Sequence, residues 1–207
     1  MAGNSSSKRK VVLVGMCQSG SLSLSAAIHS LGYNTIGYHK PAMARATRGD
    51  FSLIDWCASQ FDQLRDYPFN TYYGRIADRY PDARFVLTYR LNLDHWFDKL
   101  CAYSNTDLKH TQAHRHWWGK PSLTEADREH VKDVHKRHCD HVRSSLTTHE
   151  LIEWTVDQHD GWNGITKFLG EPIPAYEFPE PETRMEFINH HAARLDKSWM
   201  VWETILP

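Results

Sequence analysis

Short apolar runs and amphipathic segments alternate along this chain, and their order predicts the fold class. Residues 11–14 are apolar without alternation, and residues 83–89 have an unbroken apolar centre at Phe85-Val86-Leu87; both patterns are typical of strands buried on both faces of a sheet. Residues 21–31 restart with helical periodicity and stop at Gly32, a residue suited to a left-handed helix end. Strands separated by helices predict a single α/β domain with a mainly parallel central sheet flanked by helices.

The remaining segments extend this alternation. Residues 50–64 carry an amphipathic pattern that predicts a helix, whereas residues 104–123 are polar and aperiodic and predict a long loop. We expect residues 1–10 to form a flexible arm and residues 11–207 one domain. Further strands are predicted at 34–38 and 151–156, and further helices at 70–80, 93–103, 124–146, 160–169 and 182–195.

Composition and charge limit the partners and the cellular compartment that we expect for this protein. The chain has 207 residues, with 24 basic and 25 acidic side chains, so its charge offers no general basis for binding nucleic acid. No apolar run reaches the length of a membrane span. The four cysteines are far apart and form no CxxC pair, which favours free thiols in a reducing compartment. These features predict a cytoplasmic protein without a membrane or nucleic-acid partner.

The segment after the first strand carries the clearest chemical signal. Gly15 and Gly20 are separated by four residues, and a helix is predicted directly after them. A strand, a glycine loop and a helix start bring backbone N–H groups and the positive end of a helix dipole to one point. A nucleoside triphosphatase would carry lysine after the second glycine, where this chain has Ser21 and Leu22. The loop therefore predicts a P-loop-like site for phosphate or sulfate, but not ATP hydrolysis.

Several motifs in order resemble the sulfotransferases, in particular their short P-loop-like branch. The resemblance covers about residues 11–187. Residues 15–24 match G-x-x-R-T-G-T-x-S-L apart from key substitutions, residues 66–68 match D-x-P, and residues 80–90 match YPDAKxILTxR. A closing signature lies between residues 151 and 179, and includes Gly161-Trp162 and Phe178-Pro179.

The resemblance implies transfer of a sulfuryl group from 3′-phosphoadenosine-5′-phosphosulfate (PAPS) to a hydroxyl or amine of a small-molecule acceptor, without a metal. It implies that Asp66 is the general base and that Arg90 binds the 3′-phosphate. It also places Asp98 where relatives usually have a serine on that phosphate. The implied phosphosulfate cradle consists of Gln18, Ser19, Gly20, Ser21, Leu22 and Ser23.

Two positions depart from the family pattern and keep a second function open. Gln18 stands where the family has arginine or lysine, and the carboxylate of Asp98 is expected to repel a phosphate. The alternative is a catalytically impaired member that binds a nucleotide, another ligand or a protein partner. A phosphotransferase such as a nucleoside kinase ranks third, because the loop lysine is absent. Lys40 and Arg45 are candidates to supply the missing cation.

Aromatic and histidine residues provide the remaining candidates. His39, Trp117 and Trp118 are expected on the acceptor side, with core packing as the alternative for the tryptophans. The spacing of His135, His138 and His141 spreads them over roughly a third of a helix circumference, which favours a packed helix face over a zinc site.

Overall fold

A computed structural model describes residues 8–106 and 111–180 of the chain. Its five strands form one parallel sheet in the order β2-β3-β1-β4-β5, which confirms the predicted α/β class and parallel sheet. The strands are β1 (Val11–Leu13), β2 (Thr35–Ile36), β3 (Gln63–Arg65), β4 (Arg84–Tyr89) and β5 (Glu150–Thr155).

Helices follow each strand of the described ranges and cover the sheet. They are α1 (Ser21–Ser30), α2 (Lys40–Ala46), α3 (Ser52–Gln60), α4 (Tyr73–Arg79), α5 (Leu93–Thr106), α6 (Thr111–Trp118), α7 (Arg128–Ser145) and α8 (Trp162–Leu169). A 3₁₀ turn at Glu125–Asp127 precedes α7, and there the backbone N–H of Thr124 donates to Asp127 Oδ2 at 2.8 Å. This reciprocal capping box stabilises the helix start.

Burial explains why the central strands read as continuous apolar runs. Val12 and Phe85 pack into a cluster on one face of the sheet, and Leu13 and Val86 pack into a second cluster that includes residues of α1 and α8. All four side chains are 0% exposed. Removing each from water stabilises the fold by about 1.5–3 kcal/mol. The position of β1 at the centre of the sheet follows from this two-sided burial.

The predicted helix at residues 50–64 is wrong over its last residues. The helix α3 ends at Gln60, Phe61 is extended, and Gln63–Arg65 forms β3 beside β1. This strand carries polar side chains: Gln63 is fully buried and accepts a hydrogen bond from Thr35 Oγ1 at 2.6 Å. Since a buried polar strand has neither an apolar run nor strict alternation, its pattern does not reveal it.

The predicted loop at residues 104–123 is also wrong in part. The helix α5 continues to Thr106, and Thr111–Trp118 forms α6, which places Ala113 and Trp118 in a buried cluster with Trp96. Tertiary packing therefore favours helix in a segment of weak periodicity. The short helix α2 was not predicted from the sequence pattern. The predicted helix at 182–195 lies outside the described residues.

The described end of the predicted arm contacts the domain. Lys8 donates to the carbonyl of Leu31, and Lys10 donates to the carbonyl of Phe61 at 2.7 Å. Among the helices of residues 8–106 and 111–180, none has the length and apolar character needed to cross a membrane.

Candidate active site

The carboxyl ends of the parallel strands bring several predicted site residues to one edge of the sheet. The loop at residues 15–20 follows β1, Asp66 follows β3, and Arg90 follows β4. Asp157, which the sequence pattern does not single out, lies just beyond β5. Because β1 lies between β3 and β4, its loop is flanked by Asp66 on one side and Arg90 on the other. Crevices at this edge of open parallel sheets are where such folds bind ligands.

The loop after β1 packs tightly on β4. Ser19 Oγ donates to the carbonyl of Met16 at 2.6 Å and lies 2.7 Å from Thr88 Oγ1. A Cβ at Gly15 would lie 1.9 Å from the same Thr88 oxygen, so no other residue fits there. Gln18 takes a left-handed backbone conformation with φ 65°. These contacts hold the loop backbone in one arrangement.

The start of α1 has the features of an anion site. Gly20 forms its N-cap with φ 91°, and no side chain caps the helix. The first N–H groups of any helix lack an intrahelical partner, and the helix dipole adds positive potential there. Ser21 and Leu22 are half-buried in this first turn, while Ser23 is 1% exposed. Within the described residues, Ser23 Oγ has no hydrogen-bond partner. The loop therefore presents donors suited to a phosphate or sulfate.

Arg90 connects the loop to the ends of β4 and β5. Its Nε donates to the carbonyl of Gln18 at 3.0 Å, and its Nη1 pairs with Asp157 Oδ1 at 2.8 Å. The other oxygen of Asp157 accepts the Leu91 N–H at 2.8 Å. Asp157 therefore fixes Arg90 beside the loop, where a guanidinium can bind a phosphate.

Asp66 lies in a strained turn that is bonded to the loop. Its φ of 63° is in the left-handed region, and its Oδ1 accepts the N–H of Tyr67 at 3.0 Å. The Asp66 carbonyl accepts the N–H of Asn70, whose side-chain nitrogen donates to the carbonyl of Gly15 at 3.0 Å. A left-handed aspartate costs conformational energy and is often found at functional sites.

Arg65 lies next to Asp66, and the sequence pattern did not single it out. Its Nη1 lies 3.5 Å from Asp66 Oδ2, and its side chain is only 8% exposed. Burial lowers the pKa of the Arg65 guanidinium, while the charges of Asp66, Tyr103 and Cys17 oppose that shift. The sequence signal that could have found Arg65 is its position directly before Asp66, the predicted base. The residues before it are predicted to form an amphipathic helix, so no strand end is expected there.

His39 has a structural contact that limits its chemistry. His39 is 2% exposed, and its ring Nδ1 accepts the backbone N–H of Ala42 at 3.1 Å. The backbone N–H of His39 donates to the carbonyl of Tyr67. Burial lowers the pKa of His39, so the ring is neutral with its proton on Nε2. Its assignment to the acceptor side remains a prediction.

The two tryptophans of α6 have different surroundings. Trp118 is 3% exposed and packs against Trp96, with ring centroids 6.2 Å apart. Trp96 in turn donates to the carbonyl of Cys17 at 2.9 Å, so this packing supports the loop from behind. Trp117 is half-buried and lines a groove of about 540 Å³. An acceptor contact stays a prediction for both, and Trp117 has the more accessible surface.

The remaining charged candidates bind other partners or are exposed. Asp98 accepts from Arg128 Nη2 at 2.6 Å, which joins α5 to α7. Arg45 pairs with Asp50 at 3.9 Å, and Lys40 is exposed at the start of α2. The repulsion expected from Asp98 is therefore reduced by its pairing with Arg128.

The histidines of α7 pack rather than form a cluster. His138 Nε2 donates to the carbonyl of Val14 at 2.6 Å, directly before the loop, and the His135 ring lies 4.3 Å from Trp96. Burial lowers the pKa of His135 to about 4, so it is neutral near pH 7. In the part of the chain that the structure describes, no group of three or more His, Cys, Asp or Glu side chains could hold a metal ion.

Comparison with known proteins gives two matches. A family model described as a sulfotransferase domain matches residues 10–110 and 97–187. The "Ava biosynthesis cluster protein M" of Aspergillus versicolor is 24% identical over 236 residues, which cover 92% of this chain and 87% of that protein.

Proposed function

Because the chain belongs to the sulfotransferase domain family, we propose that it transfers a sulfuryl group from PAPS to a hydroxyl or amine of a small-molecule acceptor. The observation that carries the proposal is the uncapped start of α1 after a tightly packed glycine loop, with the buried hydroxyl of Ser23 in its first turn. Backbone N–H groups there suit the 5′-phosphosulfate of the donor. The four cysteines are free thiols, which supports a cytoplasmic location.

The residues present fit the donor at two points. The loop from Gln18 to Ser23 would hold the phosphosulfate through N–H groups and hydroxyls, and Arg90 would hold the 3′-phosphate through its guanidinium. Bound PAPS supplies a sulfuryl group on a good leaving group, so that the protein needs no metal for this chemistry. The chain's own contribution is to bind, orient and stabilise charge.

Asp66 is the residue we assign as general base. Oδ1 is oriented by the N–H of Tyr67, and the second oxygen faces the guanidinium of Arg65. Its side chain is 17% exposed, so an acceptor hydroxyl can reach it from the edge of the sheet. The carboxylate would take the proton of the acceptor hydroxyl as its oxygen forms a bond to sulfur and the leaving phosphate takes the electron pair of the S–O bond.

Calorimetric titration tests the donor site directly. We expect 3′-phosphoadenosine-5′-phosphate to bind with micromolar affinity, and AMP and Mg-ATP to bind at least tenfold more weakly, since both lack the 3′-phosphate. Arg90→Ala should remove this selectivity, and Arg84→Ala, at the opposite end of β4, should keep it. Binding of the 3′-phosphorylated nucleotide without turnover of any acceptor would support the catalytically impaired alternative, which Gln18 and the engagement of Arg90 by Asp157 favour. Preference for Mg-ATP would contradict both.

A further inference from the structure

The loop that follows β1 contains no cationic side chain of its own. Residues 15–28 include neither lysine nor arginine, although a phosphate or phosphosulfate there would carry at least one negative charge. Backbone N–H groups supply only partial charges. The two strands that flank β1 can each supply a full positive charge. Their ends carry Arg65 on the β3 side and Arg90 on the β4 side.

Arg65 is unusual because a charged side chain is buried at the end of an interior strand, β3. In the register of the sheet it lies beside Leu13, two residues before the loop begins at Gly15. Burial of a guanidinium is costly unless anions surround it. The distance of 3.5 Å to Asp66 Oδ2 is longer than a charge-assisted hydrogen bond. With five donors, the guanidinium can bind Asp66 and a second anion together.

The neighbouring strand end leaves space for this guanidinium. A Cβ at Gly37 would lie 2.7 Å from Arg65 Nη2 and 2.9 Å from its central carbon. Any larger residue at position 37 would push the guanidinium out of its place. The Arg65 side chain can therefore occupy this position only because residue 37, directly after β2, is a glycine.

A second buried polar group lies in the same cluster. Tyr67 is 0% exposed, and its hydroxyl has no hydrogen-bond partner among the residues that the structure describes. Tyr67 and Arg65 share the charge neighbours Cys17, Asp66 and Tyr103, and Cys17 belongs to the loop. A buried hydroxyl of this kind is a donor for a ligand oxygen.

We propose that Arg65 is the cation of the phosphosulfate loop and binds the 5′-group of the donor from the β3 side, while Arg90 binds the 3′-phosphate. This inference rests on the proposed function, and it assigns a role to a residue outside the loop. The two arginines would then hold the two charged ends of one nucleotide. Bound to the 5′-group, Arg65 would also offset the negative charge that builds up on the leaving phosphate as the S–O bond breaks.

The contributions of the two ends of the donor site can be distinguished with three nucleotides that differ in their phosphates. These are 3′-phosphoadenosine-5′-phosphate, adenosine 3′-monophosphate and AMP. We expect Arg65→Met to weaken calorimetric binding of the bisphosphate and of AMP about 10- to 100-fold, the loss of a charged hydrogen bond, while adenosine 3′-monophosphate binds unchanged. Arg90→Ala should show the opposite selectivity. Arg65→Lys should recover part of the lost affinity. Arg45→Met, an exposed arginine paired with Asp50, is the matched control.

A charge-relocation variant keeps the test independent of folding defects. Gln18→Arg combined with Arg65→Met returns the cation to the loop and should restore affinity for the bisphosphate. Thermal unfolding of each variant shows whether the domain is intact.

If Arg65→Met does not fold, Arg65→Lys and Gly37→Ala replace it in the test. Both should weaken AMP binding more than binding of adenosine 3′-monophosphate. Unchanged affinities for the bisphosphate and AMP in the folded Arg65 variants, with loss in Arg90→Ala, would overturn this inference and leave the proposed function intact. A wild-type protein that binds no bisphosphate would overturn the proposed function itself.

Discussion

Two arginine–carboxylate pairs flank the loop after β1, and they differ in the distance between their charged atoms. Arg65–Asp66 is the longer pair and Arg90–Asp157 the shorter pair. Arg65 and Asp66 are consecutive residues with a distance of 3.5 Å between Nη1 and Oδ2, and their side chains are 8% and 17% exposed. Arg90 and Asp157 join two strand ends at 2.8 Å, with 11% and 26% exposed. The short pair is a structural link between β4 and β5, and Leu91 strengthens it. The longer pair joins the two residues to which we have assigned the loop cation and the general base, and its 3.5 Å separation is that of a looser ion pair.

Removal of the carboxylate from the longer pair should have the largest effect. Asp66→Asn keeps the shape of the side chain but cannot accept the acceptor's proton, so we expect kcat to fall about 10²- to 10⁴-fold with little change in donor affinity. Steady-state kinetics with an acceptor found by screening would measure this. Full turnover by Asp66→Asn would show that the two pairs do not differ in chemical role.

Displacement of the guanidinium from the longer pair should have the next largest effect. Gly37→Ala forces a Cβ to within 2.7 Å of Arg65 Nη2, so we expect the free energy of unfolding to fall by about 1–3 kcal/mol, as overpacking does. Chemical denaturation would measure it.

Gly74→Ala is the matched control for that substitution. Gly74 lies in α4, where an added Cβ would meet no atom within 4 Å outside its own helix backbone and chain neighbours. Alanine should therefore be neutral there or stabilising by about 0.4–1 kcal/mol. Equal destabilisation by both variants would mean that the packing of Arg65 against Gly37 is not what matters.

Removal of the negative charge of Asp157 from the Arg90–Asp157 pair should have a smaller effect. It should strengthen nucleotide binding rather than weaken it. Asp157→Asn keeps an oxygen for the Leu91 N–H but removes the anion that competes for Arg90, so we expect 3′-phosphoadenosine-5′-phosphate to bind several-fold more tightly. Calorimetry at two salt concentrations would test this, because the gain should shrink as salt increases. Weaker binding would show instead that Asp157 orients Arg90 for the ligand.

Substitution outside both pairs should have the smallest effect. Arg45→Ala removes an exposed arginine that lies 3.9 Å from Asp50, so we expect nucleotide affinity within twofold of wild type and a change in unfolding free energy below about 0.5 kcal/mol. Calorimetry and denaturation measure these. A tenfold loss of affinity would return Arg45 to consideration as the loop cation.

The two sides of the loop also differ in how well the sequence predicts them. On the β4 side, the apolar centre of residues 83–89 predicts a buried strand, and in the structure Arg90 directly follows β4. On the β3 side, the polar residues Gln63 and Arg65 hide the strand inside an apparent helix. Their burial depends on Thr35 of the adjacent strand β2 and on Gly37 directly after it, which are distant in sequence.

The sequence by itself determines the α/β class, the glycine loop and the helix that follows it, because apolar runs, helical periodicity and glycine spacing are local properties of the chain. The resemblance to the sulfotransferases adds Asp66 and Arg90 as candidates, and the sequence pattern predicts the strand before Arg90 but not the strand before Asp66. Only the tertiary structure decides that Asp98 pairs with Arg128, that Trp118 is buried behind the loop, and that Arg65 lies beside it. The physical reason is that the surroundings of a charge or a ring are set by residues brought together through strand pairing and helix packing, which no local pattern encodes.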